Sequence, residues 1–281
     1  MSLTAEETSR FADLPSGKMH YNEAGSGHPV ILIHGSGAGA SGWSNFSPNI
    51  EALAQHFHVV AVDIIGWGQS DAIVNNVYTG PVQIIELMDA LGLRTAALVG
   101  NSMGGGIAIA AAARYPERIS HLITMGPGVF MNIPPISGAN DGPSEGMKVL
   151  LEAYMNPSIE TMKKLTSIMA FSEEMVTDEL AAGRSAAVQA RPEHAKAALE
   201  GFRTRALIGW EATPEEVMSI GQPTLAIHGR DDRVVHFENT MRLVTLVKNC
   251  RAVLFNQCGH WAQLEHAAEF NRLVTDFVLN N

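Results

Sequence analysis

Cysteine is nearly absent from this chain: Cys250 and Cys258 are the only two in 281 residues. Two thiols cannot build a disulfide framework, so a packed core must hold the fold. Long apolar runs are missing as well. Although 46% of the residues are hydrophobic, no stretch reaches the roughly 18 uninterrupted apolar residues of a membrane-spanning helix. Positive charge is also scarce, with 19 Lys and Arg against 29 Asp and Glu and a formal net charge of −10. No local basic patch offsets it, which argues against a nucleic-acid or membrane partner. There is no internal repeat, no low-complexity tract, and no histidine pair with metal-ligand spacing. Residues 1–7 are polar and acidic, unlike a signal peptide, so a cytoplasmic location is expected. The length suits one large core, or one core carrying an insertion.

What is present centres on Gly100-Asn101-Ser102-Met103-Gly104. Residues 96–99 are a short apolar run that suits a strand buried on both faces. Residues 107–114 are Ala-rich and form a good helix. A strand turning sharply into a helix strains the residue at the tip and needs small neighbours. Gly-x-Ser-x-Gly in that setting reads as a nucleophile elbow, with Ser102 raised above the sheet edge and a helix N-terminus beneath it. The blander alternative is a Gly-rich turn with a capping serine.

Upstream, residues 18–23 read as a short edge strand, 29–33 and 58–63 as buried strands, and 46–57 and 82–91 as helices. Residues 119–125 form a further strand. Strands alternating with helices predict right-handed crossovers and a doubly wound, mostly parallel α/β sheet. The rhythm breaks after Gly128. Segments 144–154, 158–169, 177–189 and 193–207 are helical, and no strand fits the sheet. The expected organisation is therefore a core of residues 1–130 and 214–281 with a helical lid at 131–213. The lid holds Met131, Met147, Met155, Met162, Met169 and Met175, which suit either helix core or a pliable substrate roof. The sheet resumes at 223–228 and 252–255, with helices at 238–247 and from about 262 to 279.

A serine hydroxyl needs a base positioned by a third group. His260 and Asp232 both follow predicted parallel strands, as the elbow does, and such strand ends share one rim of the sheet. Asp231 is the competing acid. The intermediate's oxyanion needs two fixed donors: the Met103 N–H at the helix start, and the Ser36 N–H in the loop His34-Gly35-Ser36-Gly37. His34 is expected to brace that loop rather than act as a base. His28, His56, His58, His194 and His266 read as surface or rim groups.

Together these residues resemble the α/β-hydrolase superfamily over essentially the whole chain. Within it the chain is similar to the meta-cleavage product hydrolases of bacterial aromatic degradation. The resemblance rests on His34-Gly35-Ser36-Gly37-Ala38-Gly39 with Gly42-Trp43-Ser44-Asn45, on the elbow, on Gly229-Arg230-Asp231-Asp232-Arg233, and above all on Cys258-Gly259-His260-Trp261-Ala262-Gln263-Leu264-Glu265-His266. It favours Asp232 as the acid. It implies cofactor-free hydrolysis of a carbon–carbon bond in a small 2-hydroxy-6-oxohexa-2,4-dienoate. Gly37, Asn45, Asn101, Arg184 and Trp261 would surround the dienoate, with the Arg184 fork on its carboxylate. Such relatives are often dimers or larger. Ile65 and His236 stand where many relatives carry proline. The same triad would serve a carboxylesterase, and the fold also occurs in non-catalytic ligand receptors.

Overall fold

The structure, a computed structural model, describes residues 3–74, 77–128, 143–208 and 211–281. Its eight strands are β1 (Ser9–Leu14), β2 (Gly17–Gly25), β3 (Pro29–Ile33), β4 (His58–Val62), β5 (Ala96–Asn101), β6 (Ile119–Met125), β7 (Thr224–Gly229) and β8 (Cys250–Phe255). They form one sheet in the order β1-β2-β4-β3-β5-β6-β7-β8. The β1–β2 and β2–β4 pairs are antiparallel, and all pairs from β4 to β8 are parallel.

The central strands are apolar throughout because helices cover both faces. Along β3, Ile31 and Ile33 join one core with Ile84 and Leu87 of α3 (Val82–Ala90) and Ile107 of α4 (Met103–Arg114). Val30 and Leu32 point the other way. They pack with Phe46 and Ile50 of α2 (Gly42–Leu53) and, near the C-terminus, Phe270 and Val274. The period of two along the strand thus sorts side chains between the two layers.

Two sequence expectations need correction here. Residues 18–23 are not an edge strand: β2 runs longer and is flanked by β4 and by β1, a hairpin partner whose mixed burial gave no clear alternation. A short helix, α1 (Ala5–Thr8), precedes it. Helix α2 starts at Gly42 rather than 46, because the Ser41 and Ser44 side chains form a capping box that overrides the poor helix propensity of Gly-Trp-Ser.

Between β6 and β7 the described chain is helical: α5 (Glu145–Met155), α6 (Ile159–Met169), α7 (Asp178–Ala190), α8 (Pro192–Thr204) and the short α9 (Pro214–Met218). Ser144, Ser158, Thr177 and Thr213 cap four of these starts, each accepting a backbone N–H three residues on. Met131 and the expected boundary at 130/131 lie outside the described residues. After β7 come α10 (Glu238–Leu246), α11 (Ala262–Glu265) and α12 (Ala267–Asn280), so the single predicted terminal helix is broken at His266.

Candidate active site

β5 ends on Asn101 and α4 begins on Met103, leaving Ser102 as the whole turn between them. Its φ of 54° and ψ of −119° lie where a side chain is strained. Three hydrogen bonds hold it there. The Ser102 N–H donates to Met125 O (2.8 Å), and its carbonyl accepts from the Gly106 (3.1 Å) and Gly128 (3.0 Å) N–H groups. The flanking glycines are required by approach: a Cβ on Gly104 would sit 2.1 Å from Ile33 O, and one on Gly100 2.2 Å from Gly104 O.

The loop after β7 brings Asp232 against His260, with Oδ2 2.7 Å from Nδ1. The other oxygen, Oδ1, accepts the Val234 (2.8 Å) and Val235 (3.0 Å) N–H groups. Burial works to raise the Asp232 pKa. The His260 charge and hydrogen bonds from His228 and His260 outweigh it, so the carboxyl stays well below its ordinary range. An ionised acceptor at Nδ1 fixes the His260 tautomer, leaving Nε2 with its lone pair free to take a proton. Asp231 instead faces Arg230 at 3.3 Å and is partly exposed. His260 itself is only 3% exposed, and its N–H is tied to Met169 O.

One cavity collects eight of the expected residues: Ser36, Gly37, Asn45, Asn101, Ser102, Arg184, His260 and Trp261 all line it. Asp232 stands behind His260, and Met103 opens the helix under Ser102 with a first-turn N–H that has no intrahelical partner. The open space inside is about 20 Å³, room for about one water molecule. Asn101 Nδ2 donates to His260 O (3.2 Å), and its Oδ1 accepts from Asn45 Nδ2 (3.4 Å). His34 does brace its loop, with Nδ1 on Gly35 O (2.7 Å) and Nε2 accepting the Ile64 N–H (3.0 Å).

Arg184 reaches the cavity from α7 and is 3% exposed. Its Nη1 donates to Ala38 O (2.9 Å), and its guanidinium lies 4.7 Å over the Trp261 ring. No carboxylate pairs with it among the described residues, and its buried Nε has no partner. Burial lowers its pKa from 12.5 to about 10, so it remains charged at neutral pH. An unpaired buried cation is costly unless an anion comes to it.

The sequence reading passed over several contributors. His228, fully buried at the end of β7, holds Asp232 Oδ2 with Nε2 (3.1 Å) while Thr240 meets its Nδ1 (2.7 Å). Its signal was a polar residue inside an apolar strand four positions before the acid. Tyr154 of α5 donates to Ser36 O (2.7 Å) and accepts from Trp67 Nε1 (3.0 Å); nothing local in the sequence announces that contact. The apolar wall is Met147, Leu150, Met169 and Val234. Of the methionines, Met147 and Met169 thus face the cavity, whereas Met162 is core and Met155 is exposed. His194, expected as a surface or rim group, is buried at 8% exposure, because α8 turns it inward.

A strained serine at a strand–helix turn, backed by a histidine and a buried aspartate, is the geometry of a serine hydrolase. The family described as alpha/beta hydrolase fold matches residues 28–267. The 2-hydroxy-6-oxo-6-phenylhexa-2,4-dienoate hydrolase of Comamonas testosteroni is 41% identical, covering 98% of both chains. The like-named enzyme of Burkholderia cepacia is 40% identical over 99% of both. Among solved structures, a serine-to-alanine variant of the meta-cleavage product hydrolase from Pseudomonas fluorescens IP01, complexed with acetates, superposes with a TM-score of 0.85. That protein is 35% identical, over 97% of this chain and 98% of its own. The protein is an alpha/beta hydrolase. Within that fold the chain belongs to the meta-cleavage product hydrolases.

Proposed function

We propose that this chain hydrolyses the C5–C6 bond of a 2-hydroxy-6-oxohexa-2,4-dienoate, an aromatic ring-fission product, releasing 2-hydroxypenta-2,4-dienoate and a carboxylic acid. The carrying observation is Arg184. A buried guanidinium with no counter-ion among the described residues shares a cavity with Ser102 and His260, which suits a substrate with a carboxylate at one end. A simple ester has no use for it.

In this reading the dienol first ketonises: the C2 hydroxyl loses its proton and C5 gains one. Ser102 Oγ then adds to the C6 carbonyl as His260 Nε2 takes its proton, with Asp232 orienting the ring. The N–H groups of Ser36 and Met103 hold the oxyanion. The C5–C6 bond breaks, and its electron pair flows through the C3–C4 alkene into the C2 carbonyl, giving the dienolate. The proton on His260 Nε2 passes to the C2 oxygen of the dienolate, giving 2-hydroxypenta-2,4-dienoate. The neutral imidazole then deprotonates a water that attacks the acyl group, and that proton returns to Ser102 Oγ as the acid leaves. Gly37, Asn45, Asn101 and Trp261 would flank the dienoate, and Met147, Leu150, Met169 and Val234 the C6 substituent. No cofactor enters these steps.

Residues 131–213 act as the lid in this reading, since α5, α6 and α7 supply Leu150, Met169 and Arg184 to the cavity. A space of about 20 Å³ admits no dienoate, so the lid must shift for entry. No helix among the described residues is long and apolar enough to cross a membrane. With two cysteines and a net charge of −10, we place the reaction in the cytoplasm, on a small molecule rather than a nucleic acid or membrane.

The test is loss of the yellow absorbance of 2-hydroxy-6-oxo-6-phenylhexa-2,4-dienoate. Bleaching that Ser102→Ala abolishes and Arg184→Ala slows by at least tenfold supports the reading. Brisk p-nitrophenyl ester hydrolysis, with no bleaching of phenyl, methyl or isopropyl dienoates, overturns it in favour of a carboxylesterase.

A further inference from the structure

A second cavity lies between α7–α8 and the loops that follow β3 and β4. It measures about 390 Å³, inside the roughly 300–1,000 Å³ range of small-molecule pockets. It shares no lining residue with the Ser102 cavity. The wall between them is closed by Arg184 Nη1 on Ala38 O and by Gly39, where a Cβ would sit only 2.7 Å from Arg184 O. We propose that this cavity is a second small-molecule site, built to take an aromatic carboxylate. The assignment is independent of the reaction proposed above.

The aromatic half of the argument is its walls. Trp43, Trp67 and Tyr154 all line the space, the last two at 4% and 5% exposure. Three aromatic side chains on one lining favour a flat, polarisable ligand over an aliphatic one.

The anionic half is a surplus of donors. Arg191 uses Nε on Glu193 (2.5 Å) and Nη2 on Ser70 O (3.1 Å) and His194 Nε2 (2.9 Å). Its Nη1 has no partner among the described residues. Because guanidinium can only donate, His194 Nε2 must accept, which puts the imidazole proton on Nδ1. That Nδ1–H also lacks an acceptor among the described residues, as does the Trp43 indole N–H. Burial, then the Arg191 charge, lowers the His194 pKa to about 4, so the neutral donor form holds at physiological pH. Against these donors stands one buried acceptor on the lining, Asn22 Oδ1, that has no partner among the described residues; a ring hydroxyl would answer it. The lining carboxylate, Asp63, is already satisfied: His20 Nδ1 (2.8 Å) and the Gln69 N–H (2.8 Å) meet one oxygen, and the Gly42 N–H (2.7 Å) the other. Glu193 is held by Arg191 on the outer side. A carboxylate seated on Arg191 Nη1 and His194 Nδ1 would satisfy the surplus.

The probe is 4-fluorobenzoate, titrated against the full chain and followed by fluorine NMR with equilibrium dialysis for stoichiometry. Ala190, exposed at the cavity mouth, gives Ala190→Trp to fill the space. Arg191→Gln, at a half-buried side chain, removes the charge without the bulk. The expected result is one bound equivalent that disappears in Ala190→Trp, weakens at least tenfold in Arg191→Gln, and persists in Arg184→Gln. Cyclohexanecarboxylate should compete for it poorly. Binding that is unchanged in both Ala190→Trp and Arg191→Gln, or lost only with Arg184, overturns the proposal, as does the absence of saturable binding.

Discussion

A single side chain, Arg184, shows how function and stability pull apart. Among the described residues its guanidinium is kept out of water with one carbonyl and one indole for company, and burial lowers its pKa to about 10, the direction expected when desolvation disfavours the charged form. Replacing it with an apolar side chain of similar length should stabilise the free protein while removing the anchor for a substrate carboxylate. Arg184→Met is expected to raise stability by on the order of 2 kcal/mol, read as a higher Tm, and to raise KM for the dienoate at least tenfold. A lower Tm would mean that the Ala38 bond and Trp261 stacking outweigh the desolvation cost.

At the scale of elements, the oxyanion loop is not held by its own strand alone. Helix α5 sends Tyr154 across to the Ser36 carbonyl, and Trp67, in the loop after β4, braces the phenol from behind. Burial raises the Tyr154 pKa, so the hydroxyl keeps its proton and donates throughout the working pH range. Tyr154→Phe would leave one acceptor and one indole N–H unmet, a loss of about 1–1.5 kcal/mol. If the loop's placement serves the oxyanion, that loss should fall on kcat, by about tenfold, with KM within about twofold. A change in KM alone would make the relay structural.

For the whole molecule, two buried groups give stability opposite slopes in acid. The His194 pKa is lowered from 6.5 to about 4, chiefly by burial and then by Arg191. The unfolded chain therefore binds its proton first, and stability is lost as pH falls from about 6.5 to about 4. Glu211 is raised from 4.5 to about 7 by burial, so it favours the folded state at low pH and loses that advantage as pH rises from about 4.5 to about 7. A His194→Gln variant isolates the first effect. Denaturant midpoints should fall less between pH 6.5 and 4 than in the parent chain, and parallel curves would refute the assignment.

The sequence by itself determined the periodic parts: apolar strands alternating with helices, the Gly-bounded turn at Ser102, and the order of serine, acid and histidine. These are local patterns, and backbone sterics and strand–helix periodicity act locally. Even so, the antiparallel β1 escaped, since its burial alternates poorly, and α2 was displaced by a cap rather than by its propensity. Only the tertiary structure decided which groups meet across distance. It set Asp232 rather than Asp231 against His260, lodged His228 behind the acid, brought Tyr154 to a carbonyl 118 residues away, and enclosed Arg184 with no counter-ion among the described residues. Such contacts are fixed by the packing of whole layers, because burial, not sequence spacing, sets what a side chain touches and what its charge costs.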